Sequence, residues 1–295
     1  MTAFPPVLPG SDESAVVARL RAAGCVFAED EARLLVTAAR TAAELEAMVL
    51  RRVEGLPLEH ILGWAAFCGL RIGVDPGVFV PRVRTEFMVH QAADLARALG
   101  RNDDGGGLAG RDAAPNRDTS APPAIVVVDL CCGSGAVGAA LTAALAGAGR
   151  AVELYAADIE PAAVSCARRN IGALGGQVFH GDLFAPLPAR LRGRVDILLA
   201  NTPYVPTEEI ALMPPEARLH EPRVTLDGGA DGLDIQRRVA AEAPSWLAPG
   251  GHLLVESSER QARLSAEIFA VNGLLPRVVT SEELYATIVI GTKPR

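Results

Sequence analysis

Between residues 125 and 201, continuous apolar runs alternate with stretches of helical character, and this constrains the fold more than any other feature of the chain. "IVVVDL" (125–130), "VELYAAD" (152–158), "QVFHGD" (177–182) and "VDILLAN" (195–201) read as strands rich in Val, Leu and Ile. Between the first three, "AVGAALTAALAG" and "EPAAVSCARRNIGALG" read as helices. "HLLVES" adds a further strand, "SERQARLSAEIFAVNG" a further helix, and "PRVVT" and "YATIVIGT" two closing strands. Strands apolar on both faces and separated by helices build a mostly parallel sheet covered on both sides. The expected fold class is α/β, with a seven-stranded Rossmann-like sheet.

Upstream the pattern changes. Residues 11–54 contain no proline, and their apolar positions recur at helical spacing behind Ser, Asp and Thr capping candidates. They read as a small N-terminal helical domain, bounded at 1–56. Residues 57–84 contain short apolar runs broken by Gly and Asp-Pro-Gly, which suggests a β-hairpin linker. The α/β domain then spans 85–295, opening with the helical "TEFMVHQAADLARALG". Inside it, residues 101–124 are polar and rich in Gly, Pro and Asp, the composition of a flexible surface loop.

Composition narrows the functional classes. With 49% hydrophobic residues in 295, wholesale disorder is excluded. The net charge is −7, Lys293 is the single lysine, and no dense basic cluster occurs, which argues against affinity built on phosphate neutralisation. The five cysteines form no Cys-x-x-Cys and the five histidines are scattered, so no metal site is expected and the thiols read as reduced and structural. No run approaches the ~20 apolar residues of a membrane span, and "MTAFPPVLPGSDES", without a cationic region ahead of an apolar stretch, does not read as a secretory leader. A cytoplasmic location without membrane contact is the expectation.

The first strand ends in "VVDLCCGSGAVG", where Gly133, Gly135 and Gly138 match the dinucleotide-type G-x-G-x-x-G spacing. The spacing alone is weak, since any ligand crossing a strand-to-helix turn needs glycine there. Asp129 is more telling. An acid beside the turn attracts the ammonium of S-adenosylmethionine (SAM), whereas a pyrophosphate gains nothing from it. Asp158 ends the second strand, where a carboxylate can accept from both ribose hydroxyls of SAM or of NAD. Asp182, in "HGDLF", can accept from an adenine amino group with Leu183 packed on the ring. Any one such Asp could be a helix cap or turn former. Three at successive strand ends, where open α/β sheets bind ligands, point to a cofactor cradle.

The fourth strand leaves through "NTPY". Asn and Pro are turn residues, but the side-chain oxygen of Asn201 and the carbonyl of Thr202 can also grip the two hydrogens of a planar NH2 group. Pro203 biases Thr202 towards an extended backbone, and Tyr204 can pack flat on the substrate. An amide nitrogen is a poor nucleophile, so orienting it would be the main contribution.

Together these residues resemble a known family. "DLCCGSGAVG", "GDLF" and "ANTPYVP" are similar to class I SAM-dependent methyltransferases with an Asn-Pro-Pro-Tyr motif. "LEHILGWAAFCGLRIGVDPGVFVPRVRTE" and "HEPRVTLDGGADGLD" resemble the bacterial HemK/PrmC family, most closely a branch of high-GC bacteria whose substrate is open. The resemblance implies methyl transfer to N5 of a protein glutamine, with the Gly-Gly-Gln loop of peptide-chain release factors as the candidate partner. It implies that Asn201, Thr202, Pro203 and Tyr204 hold the glutamine amide. Cys131, Gly133, Gly135, Asp158, Ile159, Asp182 and Leu183 would line the cofactor together with Asp129 and Asn201. Phe79, Arg82, Thr85 and Glu86 would close over the transfer centre, and the N-terminal helices would contact the release factor.

The chain departs from that pattern in three places. Thr202 replaces the first proline of the tetrapeptide. Val83 and Arg84 stand where the family usually has proline and an acid, reversing a charge near the substrate entrance. "ESSERQ" lacks the family's glycine-containing turn. Two alternatives carry weight: an adenine-N6 or other nucleic-acid amino methyltransferase, disfavoured by the acidic charge, and a SAM-binding protein that has lost catalysis, prompted by Thr202. An NAD oxidoreductase would leave Asp129 and "NTPY" unexplained.

Overall fold

The apolar strand runs form one sheet whose order reverses in its middle. A computed structural model describes residues 13–99 and 123–295. Its principal sheet contains β3 (Ile125–Leu130), β4 (Val152–Asp158), β5 (Gln177–His180), β6 (Val195–Ala200), β7 (Leu247–Ser257), β8 (Leu275–Ser281) and β9 (Ala286–Thr292), in the order β5-β4-β3-β6-β7-β9-β8. β5 to β7 are parallel through β4, β3 and β6, while β9 is antiparallel to both its neighbours. The expected seven-stranded α/β sheet is therefore present. Every residue of β3 is buried, consistent with the near-continuous apolar run.

Alternate strand residues serve two cores. Val127, Ile197, Leu199 and Leu254 pack under α5 (Glu86–Leu99), α6 (Ala136–Ala146) and α7 (Pro161–Gly172). Val128, Leu198, Leu253 and Val255 pack under α9 (Asp234–Trp246) and α10 (Glu259–Val271).

The N-terminal helical domain comprises α1 (Glu13–Ala22), α2 (Ala28–Ala38) and α3 (Ala42–Val53) around Leu20, Leu35 and Val49. Thr41 caps α3 by accepting from the Glu44 N–H, as its position before an Ala/Glu-rich run suggests. The buried Arg52 guanidinium binds Glu31 at 2.6 Å and reaches Glu216 at 3.2 Å. Glu216 lies on α8 (Pro215–His220), in the segment that follows β6.

Residues 58–62 form a short helix, α4 (Leu58–Leu62), ahead of the hairpin β1 (Trp64–Phe67) and β2 (Leu70–Gly73). One turn and a half is too short for periodicity to reveal. The buried His60 ring hydrogen-bonds the Val78 carbonyl oxygen at 2.9 Å, so this histidine is tied into the fold. The flexible-loop expectation for 101–124 lies, except for its last two residues, outside the described residues.

Candidate functional site

The sheet order reverses between β3 and β6, and open α/β sheets bind ligands outside the strand C-termini at such a point. A cavity of about 520 Å³ lies there. Asp129 and Asp158 reach it from β3 and β4, Asp182 from beyond β5, and Asn201 to Tyr204 from beyond β6. Cys131, Gly133, Ile159 and Leu183 line it on the same side; Phe79, Arg82 and Thr85 line it from the linker.

Two expected residues do not line it. Gly135 has a left-handed φ of +77°, and a Cβ there would stand 2.6 Å from Ile171 Cδ1. Its role is the close approach of α6 to α7. Glu86 turns towards the hairpin, where its Oε1 accepts from the Cys68 N–H at 2.7 Å. A carboxylate at the first residue of a helix is well placed by the dipole, and this one is occupied in joining α5 to the hairpin.

The cavity's charge is decided by pairing. Its three arginines are each matched to an acid: Arg82 to Glu221 at 2.6 Å, Arg84 to Glu256 at 3.0 Å and Arg238 to Asp182 at 2.5 Å. Asp129 and Asp158 have no arginine partner among the described residues. Asp129 Oδ2 accepts from the Gly138 N–H at 2.9 Å; burial pushes its carboxyl up to about 7, with Asp158 adding to the effect. Asp158 accepts from the Gly133 N–H at 2.8 Å and the Glu160 N–H at 2.9 Å, and burial raises it too.

Two buried carboxylates short of positive charge suit a cation, and among the described residues no unpaired basic side chain lines the cavity to await a pyrophosphate. The residues present thus fit SAM, which carries a sulfonium and an ammonium. The Asp158 carboxylate keeps acceptor capacity for ribose hydroxyls beyond its two backbone donors. Burial raises the Cys131 and Cys132 thiols far above their usual range, so neither is a ready nucleophile.

On the other wall, Thr202 is only 2% exposed and its hydroxyl has no hydrogen-bond partner among the described residues. The Tyr204 hydroxyl donates to Glu256 Oε1 at 2.9 Å, and its carbonyl accepts from Gln261 Nε2 at 2.9 Å. Burial and Glu256 raise the phenol above its usual value, so it stays protonated. Gly232, in the "LDGGADGLD" loop, permits this packing: a Cβ there would sit 2.3 Å from the Tyr204 oxygen.

Glu221, Arg238, Glu256 and Gln261 were not singled out from the sequence. Glu221 lies in the quoted "HEPR", and "ESSERQ" held both Glu256 and Gln261, but nothing local told their partners.

The methyltransferase small domain family matches residues 118–271. The release factor glutamine methyltransferase of Geobacter sulfurreducens is 36% identical over 228 residues, covering 77% of this chain and 69% of that protein. The release factor glutamine methyltransferase of Cereibacter sphaeroides is 33% identical over 274 residues, covering 90% and 86%. Among solved structures, the hMettl16 catalytic domain in complex with MAT2A 3'UTR hairpin 6 superposes with a TM-score of 0.51. At 13% identity, over 83% of this chain and 81% of that one, this is a likeness of fold alone.

Proposed function

The chain belongs to the release factor glutamine methyltransferase family, and from that premise we propose that it methylates N5 of the glutamine in the Gly-Gly-Gln loop of a peptide-chain release factor. One observation supports the reading: the Asn201–Tyr204 stretch, proposed as the amide grip, and the acidic Asp129 and Asp158 line a single cavity. The release factor is accordingly the proposed partner and the cytoplasm the proposed compartment. No helix among the described residues is long and apolar enough to cross a membrane.

When bound, SAM supplies a methyl group made electrophilic by its sulfonium. The chain's own residues do the rest. Asp129 and Asp158 offer the cofactor its negative surroundings, with Cys131, Gly133, Ile159, Asp182 and Leu183 around it. Asn201 and the Thr202 carbonyl accept the two amide hydrogens, turning the nitrogen towards the cofactor side. As the amide loses electron density its hydrogens grow more acidic, and the same two acceptors then hold them more strongly. The Tyr204 ring supplies a flat wall.

No residue of this set is a strong base. Asn201 is neutral and Tyr204 keeps its proton, so the amide proton departs to solvent. Orientation is the main device, and well-oriented intramolecular reactions gain on the order of 10⁵–10⁸ M in effective concentration.

The test is methyl transfer from labelled SAM to purified release factor, beside the same factor with Gly-Gly-Gln changed to Gly-Gly-Ala. Label on the first and not the second is expected. Label on neither, with SAM binding verified by calorimetry, rejects the release factor as substrate.

A further inference from the structure

Arg84 stands where a reversed charge was expected to face the substrate entrance. Its charge is instead compensated inside the protein. Arg84 Nε donates to Glu256 Oε1 at 3.0 Å, and Arg84 Nη2 donates to the Tyr204 hydroxyl at 2.5 Å. That hydroxyl donates in turn to Glu256 Oε1 at 2.9 Å, while Thr85 Oγ1 donates to Glu256 Oε2 at 2.5 Å. The Glu256 side chain is 5% exposed against 47% for Arg84, so the acid is the buried anchor and the arginine its cover.

The network joins three separate segments. Tyr204 follows β6, Glu256 lies at the end of β7, and Arg84 and Thr85 belong to the turn before α5. A phenol has one hydrogen to donate, and here it is given to Glu256 while Arg84 occupies an acceptor site. A ring free to turn about its side-chain bonds is thereby held at its far end. The Arg84 guanidinium also lies 5.9 Å from the ring centroid.

We infer that Glu256 and Arg84 are positioning residues for methyl transfer: they fix the Tyr204 ring, and through it the surface on which the accepting amide lies. Neither needs to touch the substrate. The inference rests on the methyl-transfer reading of the cavity. It also explains how an arginine is accommodated beside the entrance: it arrives with Glu256 as its counter-charge and adds no free cation.

Four proteins test it: wild type, Tyr204→Phe, Glu256→Gln and the double variant, each assayed for kcat and KM on release factor and for SAM affinity by calorimetry. Phe keeps the ring and removes the hydroxyl; Gln keeps the shape and removes the charge. Each single change is expected to lower kcat by about tenfold, since misplacement by about 1 Å at a transfer centre costs up to 10²-fold. SAM affinity stays at the wild-type level. The double variant loses no more than the worse single variant, because both changes release the same ring. A double variant near 10²-fold down, the product of the two, overturns the inference, as does a Glu256→Gln protein with unchanged kcat.

If Glu256→Gln loses SAM affinity through misfolding, Arg84→Gln with Tyr204→Phe forms the replacement cycle. If wild type methylates no release factor, the proposed function fails separately. The same four proteins in denaturant unfolding then decide the network, and strictly additive shifts in the unfolding midpoint reject it.

Discussion

Gln261 Nε2 donates to the carbonyl oxygen of Tyr204 at 2.9 Å and to that of Asp231 at 2.8 Å. The same residue sits at the start of α10, where its backbone N–H is capped by Ser258 Oγ and its Oε1 accepts from that hydroxyl at 2.6 Å. One side-chain amide thus ties a helix start to the "NTPY" stretch and to the glycine-rich loop before α9. Replacing Gln261 with Leu leaves two carbonyls without their donor. The expected cost is about 2–6 kcal/mol, from about 1–3 kcal/mol for each of the two unsatisfied groups. Denaturant unfolding measures it, and an unchanged midpoint would count against this tie.

Thr202→Val is expected to act in the opposite direction. The hydroxyl it removes is buried and unpartnered among the described residues, so the free protein should gain about 1 kcal/mol and melt higher. Methyl transfer should persist, because the proposed grip at this position uses the main-chain carbonyl. Loss of transfer with SAM binding intact would instead assign the hydroxyl a part in holding the substrate.

The acidic cradle predicts a pH dependence. Burial holds the Asp129 carboxyl at about 7 in the free protein, above the ordinary unfolded value near ~4. A raised acid stabilises the fold fully below the unfolded value, and this contribution is lost as pH rises from ~4 through about 7. The amount is on the order of 4 kcal/mol. A cationic ligand favours the charged carboxylate, so binding expels a proton. SAM affinity should therefore rise with pH by up to about tenfold per unit below 7 and level off above it. Calorimetry between pH 5.5 and ~8.5, in buffers of different ionisation enthalpy, reads both the slope and the proton. Asp129→Asn should flatten the profile; an equally steep profile in that variant would remove Asp129 from the explanation.

Arg52 should be far more sensitive to substitution than its outer partner. It is buried against Glu31 and also binds the Leu56 carbonyl at 2.9 Å. Arg52→Ala leaves the Glu31 carboxylate buried without a counter-charge and should cost about 3–5 kcal/mol. Glu216→Ala breaks only the half-exposed link to α8, which should cost less than about 1 kcal/mol. Unfolding of the two variants side by side checks the ordering, and equal losses would contradict it.

How much of this could be read from the chain alone depends on the distance over which each feature is encoded. The β3 to β6 strands were legible because continuous apolar runs between helices admit few other arrangements. Asp129, Asp158 and Asn201 were legible as site candidates because a strand end in such a sheet faces the ligand edge whatever its neighbours are. Helix α4 was not legible, since five residues carry no usable period. Glu86 and Gly135 were placed in the cavity by motif, yet one caps towards the hairpin and the other serves helix packing.

Residue order was enough for the α/β architecture and for naming Asp129, Asp158 and Asn201–Tyr204 as candidates at the ligand edge, because local periodicity and position along a strand suffice for each. The electrostatics of the site emerge only on folding. Arg84 meets Glu256 across 172 residues, Arg82 meets Glu221 across 139 and Arg238 meets Asp182 across 56. Read along the chain, Arg82 and Arg84 look like free charge at the entrance, and nothing places Arg238 there at all. Folded, each is matched, while Asp129 and Asp158 have no arginine partner among the described residues. Charge interactions depend on separation in space and on burial, neither of which is written in the order of residues.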